Sequence, residues 1–233
     1  NYRADGRGYL ESGYSQIFLL PADGGTPRQI TQGEFNHGGK LDWTPDGNEI
    51  IFSANRNEDW RERERNSDLW SVNYRTGEMR QLTDRNGPDY APSLSPDGSR
   101  LAYLGYEDRL MGYHNSQVSI LDLNSGKITQ LTEGLDRSID WVEWAGNSRQ
   151  LLISFDDFGK RKLASVDMEG DLRPLESDVG SAGISRPYTS GDFTVSDNGA
   201  YAYTAGGPDR PADVAVGHDD SAIRLTDLTA CLL

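Results

Sequence analysis

The string WTPDGNEIIF (43–52) returns 51 positions later as LSPDGSRLAY (94–103). A turn followed by the same alternating run, at a fixed interval, restricts a chain to architectures made from one repeated supersecondary unit. The turn recurs as Pro45-Asp46-Gly47 and Pro96-Asp97-Gly98, then in degraded form as Ala145-Gly146-Asn147 and Asp197-Asn198-Gly199, at spacings of 51, 49 and 52 residues. After each comes a run rich in β-branched, aromatic or aliphatic residues: EIIFSA, RLAYLG, QLLISF and AYAYTA. These predict strands.

A second marker falls later in each unit, where a glycine precedes an aliphatic residue by five positions: Gly25 to Ile30, Gly77 to Leu82, Gly126 to Leu131 and Gly170 to Leu175. An apolar run, a polar glycine turn and a return run make a β-hairpin, with glycine free to take the positive φ of a tight turn. The segment ADVAVGHDDSAIRLT repeats the pattern with a longer turn. Each unit thus carries two hairpins, and no long window shows the 3.6-residue period of a helix. Four-stranded meanders repeated at this length are blades of a β-propeller. The Pro-Asp-Gly turn is assigned to the link between a blade's first two strands: Pro sets φ on entry, Asp bonds backbone amides and Gly supplies left-handed geometry.

The expected fold is therefore all-β, a propeller of four-stranded blades with about four and a half present: 1–33 a half blade, 34–84, 85–133, 134–177 and 178–228 blades, and 229–233 a tail. Such a set fits a five-bladed ring short of two strands or, as preferred, a fragment of a larger ring. Open blade edges invite self-association, so a homo-oligomer is a further expectation.

Composition narrows the partners. With 37 acidic against 23 basic residues the net charge is −14, which lacks the basic footprint that phosphate backbones require, so neither nucleic acid nor a membrane is expected as a partner. The acidic excess is read as a solvated surface. The one cysteine, Cys231, provides neither an internal disulfide nor a thiolate zinc cage. No run approaches 18 apolar residues, and NYRADGRGYL lacks the apolar stretch of a signal peptide. A cytoplasmic location is expected, with a periplasmic one left open because the chain does not begin with Met.

The Ser-Pro-Asp-Gly and Leu-Thr punctuation resembles TolB-type propellers. More specifically YRADGRGYL, PADGGTPRQIT, LDWTPDG, LTEGLDRS, RPADVAV and RLTDL resemble the propeller of the prolyl-oligopeptidase family of serine peptidases, in its acylaminoacyl-peptidase or dipeptidyl-aminopeptidase-like branch. That resemblance implies a seven-bladed propeller preceding an α/β-hydrolase domain and restricting entry to peptides. It names the partners as a peptide substrate and the hydrolase domain.

The chain itself is expected to be non-catalytic and to need no cofactor. Acyl transfer by serine calls for a G-x-S-x-G elbow with a histidine and a carboxylate in reach. The nearest string, GYSQI (13–17), ends in Ile17 and sits in a hairpin context. His37, His114 and His218 are scattered without metal-ligand spacing. The Asp residues occupy turn positions, so no metal site is expected.

Binding is sought in the long connections between the second and third strands of each blade, which should share one face. NRNEDWRERERNSD (55–68) offers Trp60, Arg61, Arg63 and Arg65, whose guanidinium groups can pair with a carboxylate on a peptide or on a hydrolase domain, or simply lie in a solvated mixed-charge loop. GYEDRLMGYHNSQ (105–117) offers Met111, Tyr113 and His114 as an apolar and aromatic contact. Asp136 and Arg137 precede a first strand and are assigned to the opposite rim, where pairing with adjacent blades is the plain alternative. Trp43, Trp141 and Trp144 are assigned to the core between blades. A gating propeller is preferred over a stand-alone binding propeller. An enzyme using the central channel ranks last, because the innermost strands offer only Asp42, Asp140 and Glu143.

Overall fold

The computed structural model describes residues 2–3, 8–9, 13–181, 190–207, 210–218 and 221–228. Cys231, the 229–233 tail and part of the last expected hairpin lie outside them. Two short hairpins come first, β1 (Tyr2–Arg3) with β2 (Gly8–Tyr9) and β3 (Phe18–Leu19) with β4 (Arg28–Gln29). An antiparallel meander follows from β5 (His37–Trp43), β6 (Glu49–Ala54), β7 (Asp68–Asn73) and β8 (Met79–Gln81). A second is built from β9 (Asp89–Leu94), β10 (Arg100–Gly105), β11 (Gln117–Asp122) and β12 (Ile128–Gln130). The third runs through β13 (Ile139–Trp144), β14 (Gln150–Asp157), β15 (Lys160–Asp167) and β16 (Leu172–Val179). Through one pair, Val179 with Ala205, it joins β17 (Phe193–Val195), β18 (Tyr201–Gly207), β19 (Arg210–His218) and β20 (Ser221–Arg224).

Successive sheets stack face to face, and the alternation of side chains explains the near-continuous apolar runs of the second strands. Ile50 and Phe52 pack backward onto Ile17 and Ile30 of the β3–β4 hairpin, while Ile51 between them packs forward onto Leu101, Tyr103 and Leu121. Ala102 and Leu104 then face forward onto Ile139, Leu151 and Ile153, and Leu152 faces Tyr201, Tyr203 and Ala215. A strand buried on both faces shows no polar alternation, and so these strands were conspicuous in the sequence.

The Pro-Asp-Gly turns do link first and second strands. Gly47 and Gly98 take φ of 66° and 71°, and their amides donate to the carbonyls of Thr44 and Ser95. In the third sheet the register differs by one from the expected Ala145-Gly146-Asn147. Ser148, at φ 51°, holds the left-handed position and donates to the Ala145 carbonyl, so Gly146 stands where the other turns have proline. A Cβ on Gly146 would meet the Asp197 carbonyl oxygen at 2.0 Å, so backbone approach and not turn geometry demands glycine there.

The recurring Leu-Thr pairs have a shared job. The Thr132 hydroxyl accepts from the Val118 amide at 2.9 Å and donates to Gln117 Oε1 at 2.8 Å, and Gln117 Nε2 donates to the Leu135 carbonyl at 3.2 Å. Thr31 and Gln16 repeat the arrangement, with Gln16 Nε2 reaching the Gly33 and Phe35 carbonyls. Thr226 with Asp213 is a third copy. Each latch ties the outer strand to the third strand, and the glutamines also hold the linker that enters the next sheet. Thr132→Val should cost about 1–3 kcal/mol, because it strands a buried amide and a buried amide oxygen, whereas Thr132→Ser should cost much less. Urea unfolding of the two variants measures the difference.

Candidate functional site

The antiparallel registers place the 55–67 and 106–116 connections, the Phe158-Gly159 turn and the linkers 82–88 and 131–138 at one end of the sheets. The Pro-Asp-Gly turns lie at the other. Asp136 and Arg137 therefore belong to the loop-bearing end and not to the opposite rim, because Ile139, which follows them, pairs with Phe155 at the end of β14. The third sheet lacks the expected long connection: Phe158 and Gly159, both at positive φ, close a tight turn between β14 and β15.

The sequence-derived candidates fall into three groups. Trp60 is half-buried, edge-on to Tyr14 at 6.0 Å and to Phe35 at 6.3 Å, with the Arg61 guanidinium 5.0 Å over its ring. Arg61 lies 3.8 Å from Glu34, and Arg63 bonds Asn86 and lies 3.9 Å from Asp59, while Arg65 is exposed. These arginines and the exposed Leu110 and Met111 line a groove of about 480 Å³ between the two long connections. In the second connection His114 stacks on Tyr106 at 4.7 Å and accepts from the Arg109 amide, whereas Tyr113 is exposed. In the third group Asp136 accepts from Asn115, and Arg137 donates to Asp157 at 2.6 Å and lies over Phe158. That group edges a 400 Å³ pocket floored by Phe155, Leu163 and Pro174. Trp60 and Tyr113 do not converge on one site with Arg137.

A fourth cluster was not read from the sequence. His37 is buried at the start of β5, and Arg56 Nη1 donates to its Nε2 at 2.6 Å. Burial first, and then the Arg56 charge, hold the imidazole at about 4, so it is neutral with its proton on Nδ1. The Arg56 guanidinium lies 4.7 Å over Phe35 and 5.2 Å over Trp70. Beside it opens a cleft of about 610 Å³, lined by Ser15, Asn36, His37, Ser53, Asn55 and Trp60 among others. Ser15, the serine of GYSQI, shares this cleft with His37. Among the described residues no hydrogen bond joins the two side chains, and the Nε2 lone pair already accepts from Arg56.

Two buried carboxylates sit close by. Asp68 occupies the position that Gln117 holds in the next sheet's latch, but a carboxylate cannot donate to the linker as glutamine does. Burial, and next the Asp89 charge, push it up to about 7. Asp89, fully buried at the start of β9, is also raised by burial, while the Arg85 guanidinium in contact with it pulls the other way.

The innermost strands carry structural contacts. Asp42 accepts from the Leu94 amide at 2.7 Å, Asp140 pairs with Arg161 at 2.6 Å, and Glu143 with Lys40 at 3.0 Å. Among the described residues no three His, Cys, Asp or Glu side chains converge on a metal position. Of the three tryptophans assigned to the core only Trp144 is buried, its Nε1 donating to the Ser93 carbonyl. Trp43 and Trp141 are about two-fifths exposed, because alternation along β5 and β13 turns them out of the sheet-to-sheet contacts.

Stacked four-stranded antiparallel meanders with their connections gathered at one end define an all-β propeller. The chain belongs to the TolB beta propeller domain family, which it matches over residues 8–182. It is 28% identical over 111 residues to dipeptidyl-peptidase 5 of Porphyromonas gingivalis, covering 46% of this chain and 16% of that protein. Dipeptidyl-peptidase 5 of Aspergillus fumigatus is 26% identical over 164 residues, covering 64% and 22% respectively. Among solved structures, puromycin hydrolase superimposes with a TM-score of 0.72 at 18% identity, over 96% of this chain and 37% of that one. The chain thus spans well under half the length of each of these proteins.

Proposed function

We propose that this chain is the non-catalytic propeller of a larger serine peptidase of the prolyl-oligopeptidase kind. In this reading its loop-bearing face docks on an α/β-hydrolase domain and limits which peptides reach the catalytic serine. The observation that carries the reading is the sequence similarity to dipeptidyl-peptidase 5 from both a bacterium and a fungus. Supporting it, the chain contains no G-x-S-x-G elbow, and its two buried or stacked histidines, His37 and His114, are engaged by Arg56 and by Tyr106 with Arg109. The loop-bearing end also carries the exposed Leu110, Met111, Tyr113 and Phe158, which a docked domain would cover.

The test compares residues 1–233 with the full-length gene product on dipeptidyl p-nitroanilides and an acyl-peptide. The full-length protein should hydrolyse them and residues 1–233 should not. Hydrolysis by residues 1–233 alone would overturn the non-catalytic assignment. An inactive full-length protein would favour a stand-alone binding propeller.

A further inference from the structure

In each of the first three meanders the linker entering the first strand lies beside the end of the second, because His37 pairs with Ala54, Asp89 with Gly105 and Ile139 with Phe155. In the first two, the long connection that follows folds back onto that linker. Trp60 packs edge-on to Phe35 at 6.3 Å in the first. In the second, the Asp108 amide donates to the Asn86 carbonyl at 2.8 Å and Asn86 Nδ2 donates to the Asp108 carbonyl at 3.0 Å. The third meander has no such connection. Phe158 and Gly159 close a tight turn there, and the 400 Å³ pocket opens beside linker residues Leu135 and Arg137.

The pocket is uncharged in sum and apolar in depth. Arg137 donates to Asp157 at 2.6 Å, Lys162 also contacts Asp157, and Asp136 lies 3.9 Å from Arg137. These two acids and two bases are the charged part of the lining, and the rest is apolar, with Phe155, Leu163 and Ala164 buried. A charged occupant would find no unpaired partner here, whereas an apolar one gives up no hydrogen bond. The volume suits a ring-sized apolar group. In the first meander the corresponding place is taken by an aromatic side chain too, that of Trp60. Phe158 is a second mark of an outside contact. It is 91% exposed yet held at φ 49°, a strained conformation for a bulky residue, in a turn position that asparagine or aspartate usually takes. Strain at a residue that buries almost nothing in its own sheet points to a role in binding.

We infer that this pocket receives an aromatic side chain of the catalytic domain docked on the loop-bearing face, with Phe158 packing against it. The source follows from position. The lining comes from the linker, β14, β15 and β16 and none of it from β13, the strand that would border a central channel, so a peptide travelling along such a channel would miss it. The chain covers 16% and 22% of the two dipeptidyl-peptidase 5 proteins, which leaves most of a protein of that kind to supply the ring. The inference rests on the docking reading for the partner, while the uncharged, aromatic character of the occupant comes from the pocket itself.

The test is photo-cross-linking of the full-length gene product carrying Phe158→p-benzoyl-phenylalanine, with the joined peptides mapped by mass spectrometry. Phe158 is exposed, so the substitution leaves the core intact. The cross-link should run within one molecule to a segment outside residues 1–233 and fall beside a phenylalanine, tyrosine or tryptophan. Alanine in place of that aromatic residue should cut the yield at least about tenfold, the effect of losing a buried ring contact. The same probe at Ile128, exposed on β12 near the Pro-Asp-Gly end, should not reach that segment. Capture within residues 1–233 or in a second copy, no capture, an undiminished yield without the aromatic residue, or the same capture from Ile128 would overturn the site. Hydrolysis of dipeptidyl substrates without the cross-link would remove the pocket's role and leave the peptidase reading standing. The cross-link without hydrolysis would keep the pocket and remove the peptidase reading.

Discussion

Phe52→Ala should lower the unfolding free energy by about 3–5 kcal/mol, the cost of emptying a fully buried aromatic position whose surroundings relax only in part. Phe52 has no solvent exposure and sits where β6 meets the β3–β4 hairpin, in a cluster with Ile17, Ile30, Ile50 and Val72. That hairpin has two paired residues on each strand, so its attachment depends on side-chain packing more than on its own ladder. Phe52 also braces His37, and the loss should loosen the support of Arg56. Urea unfolding followed by tryptophan fluorescence gives the shift in midpoint. A loss below about 1 kcal/mol would mean that the hairpin and the first meander do not share a core.

Asp68→Asn should stabilise the chain at pH 8 and leave it nearly unchanged at pH 3. The folded pKa of Asp68 is raised from 3.8 to about 7. Well below 3.8 both folded and unfolded forms hold the proton and the group contributes nothing. Between pH 4 and 7 the unfolded chain releases it while the folded chain keeps it, so stability falls as pH rises, and above 7 the full penalty remains. Asparagine is neutral throughout and restores an amide donor where Gln117 has one, so the variant should gain on the order of 2 kcal/mol at pH 8. Thermal unfolding at the two pH values provides the comparison. An equal effect at both would show that the Asp68 carboxylate is not desolvated by the fold.

The sequence reported most of the fold because propeller strands leave a double signature. Runs such as EIIFSA are apolar on both faces, and each is preceded by a turn whose chemistry is local, as Gly47 and Gly98 show. The register at 145–148 was missed because the decisive constraint on Gly146 is the approach of Asp197, 51 residues away. The exposed Trp43 and Trp141 were missed for a related reason, since strand periodicity gives alternation but not which side faces the next sheet. Of the loop-bearing face, the long connections were legible as charged and aromatic stretches between strands. Arg56 was not. It stands four residues before Trp60 in the same stretch, and nothing local distinguishes it from Arg61, Arg63 or Arg65. Its distinction comes from Phe35 and His37 at the entry to β5 and from Trp70 of β7, two stretches that the fold brings to it. Asp68 was likewise hidden, since only the alignment of latches shows a carboxylate standing in glutamine's place.

The most direct test of the central claim is to treat the full-length gene product with a fluorophosphonate and map the labelled serine by peptide mass spectrometry. The account predicts one labelled serine in a G-x-S-x-G segment outside these 233 residues, with hydrolysis of dipeptidyl substrates lost in step with labelling. A label on Ser15 or any other serine within these residues, or a full-length protein that takes no label, would contradict it.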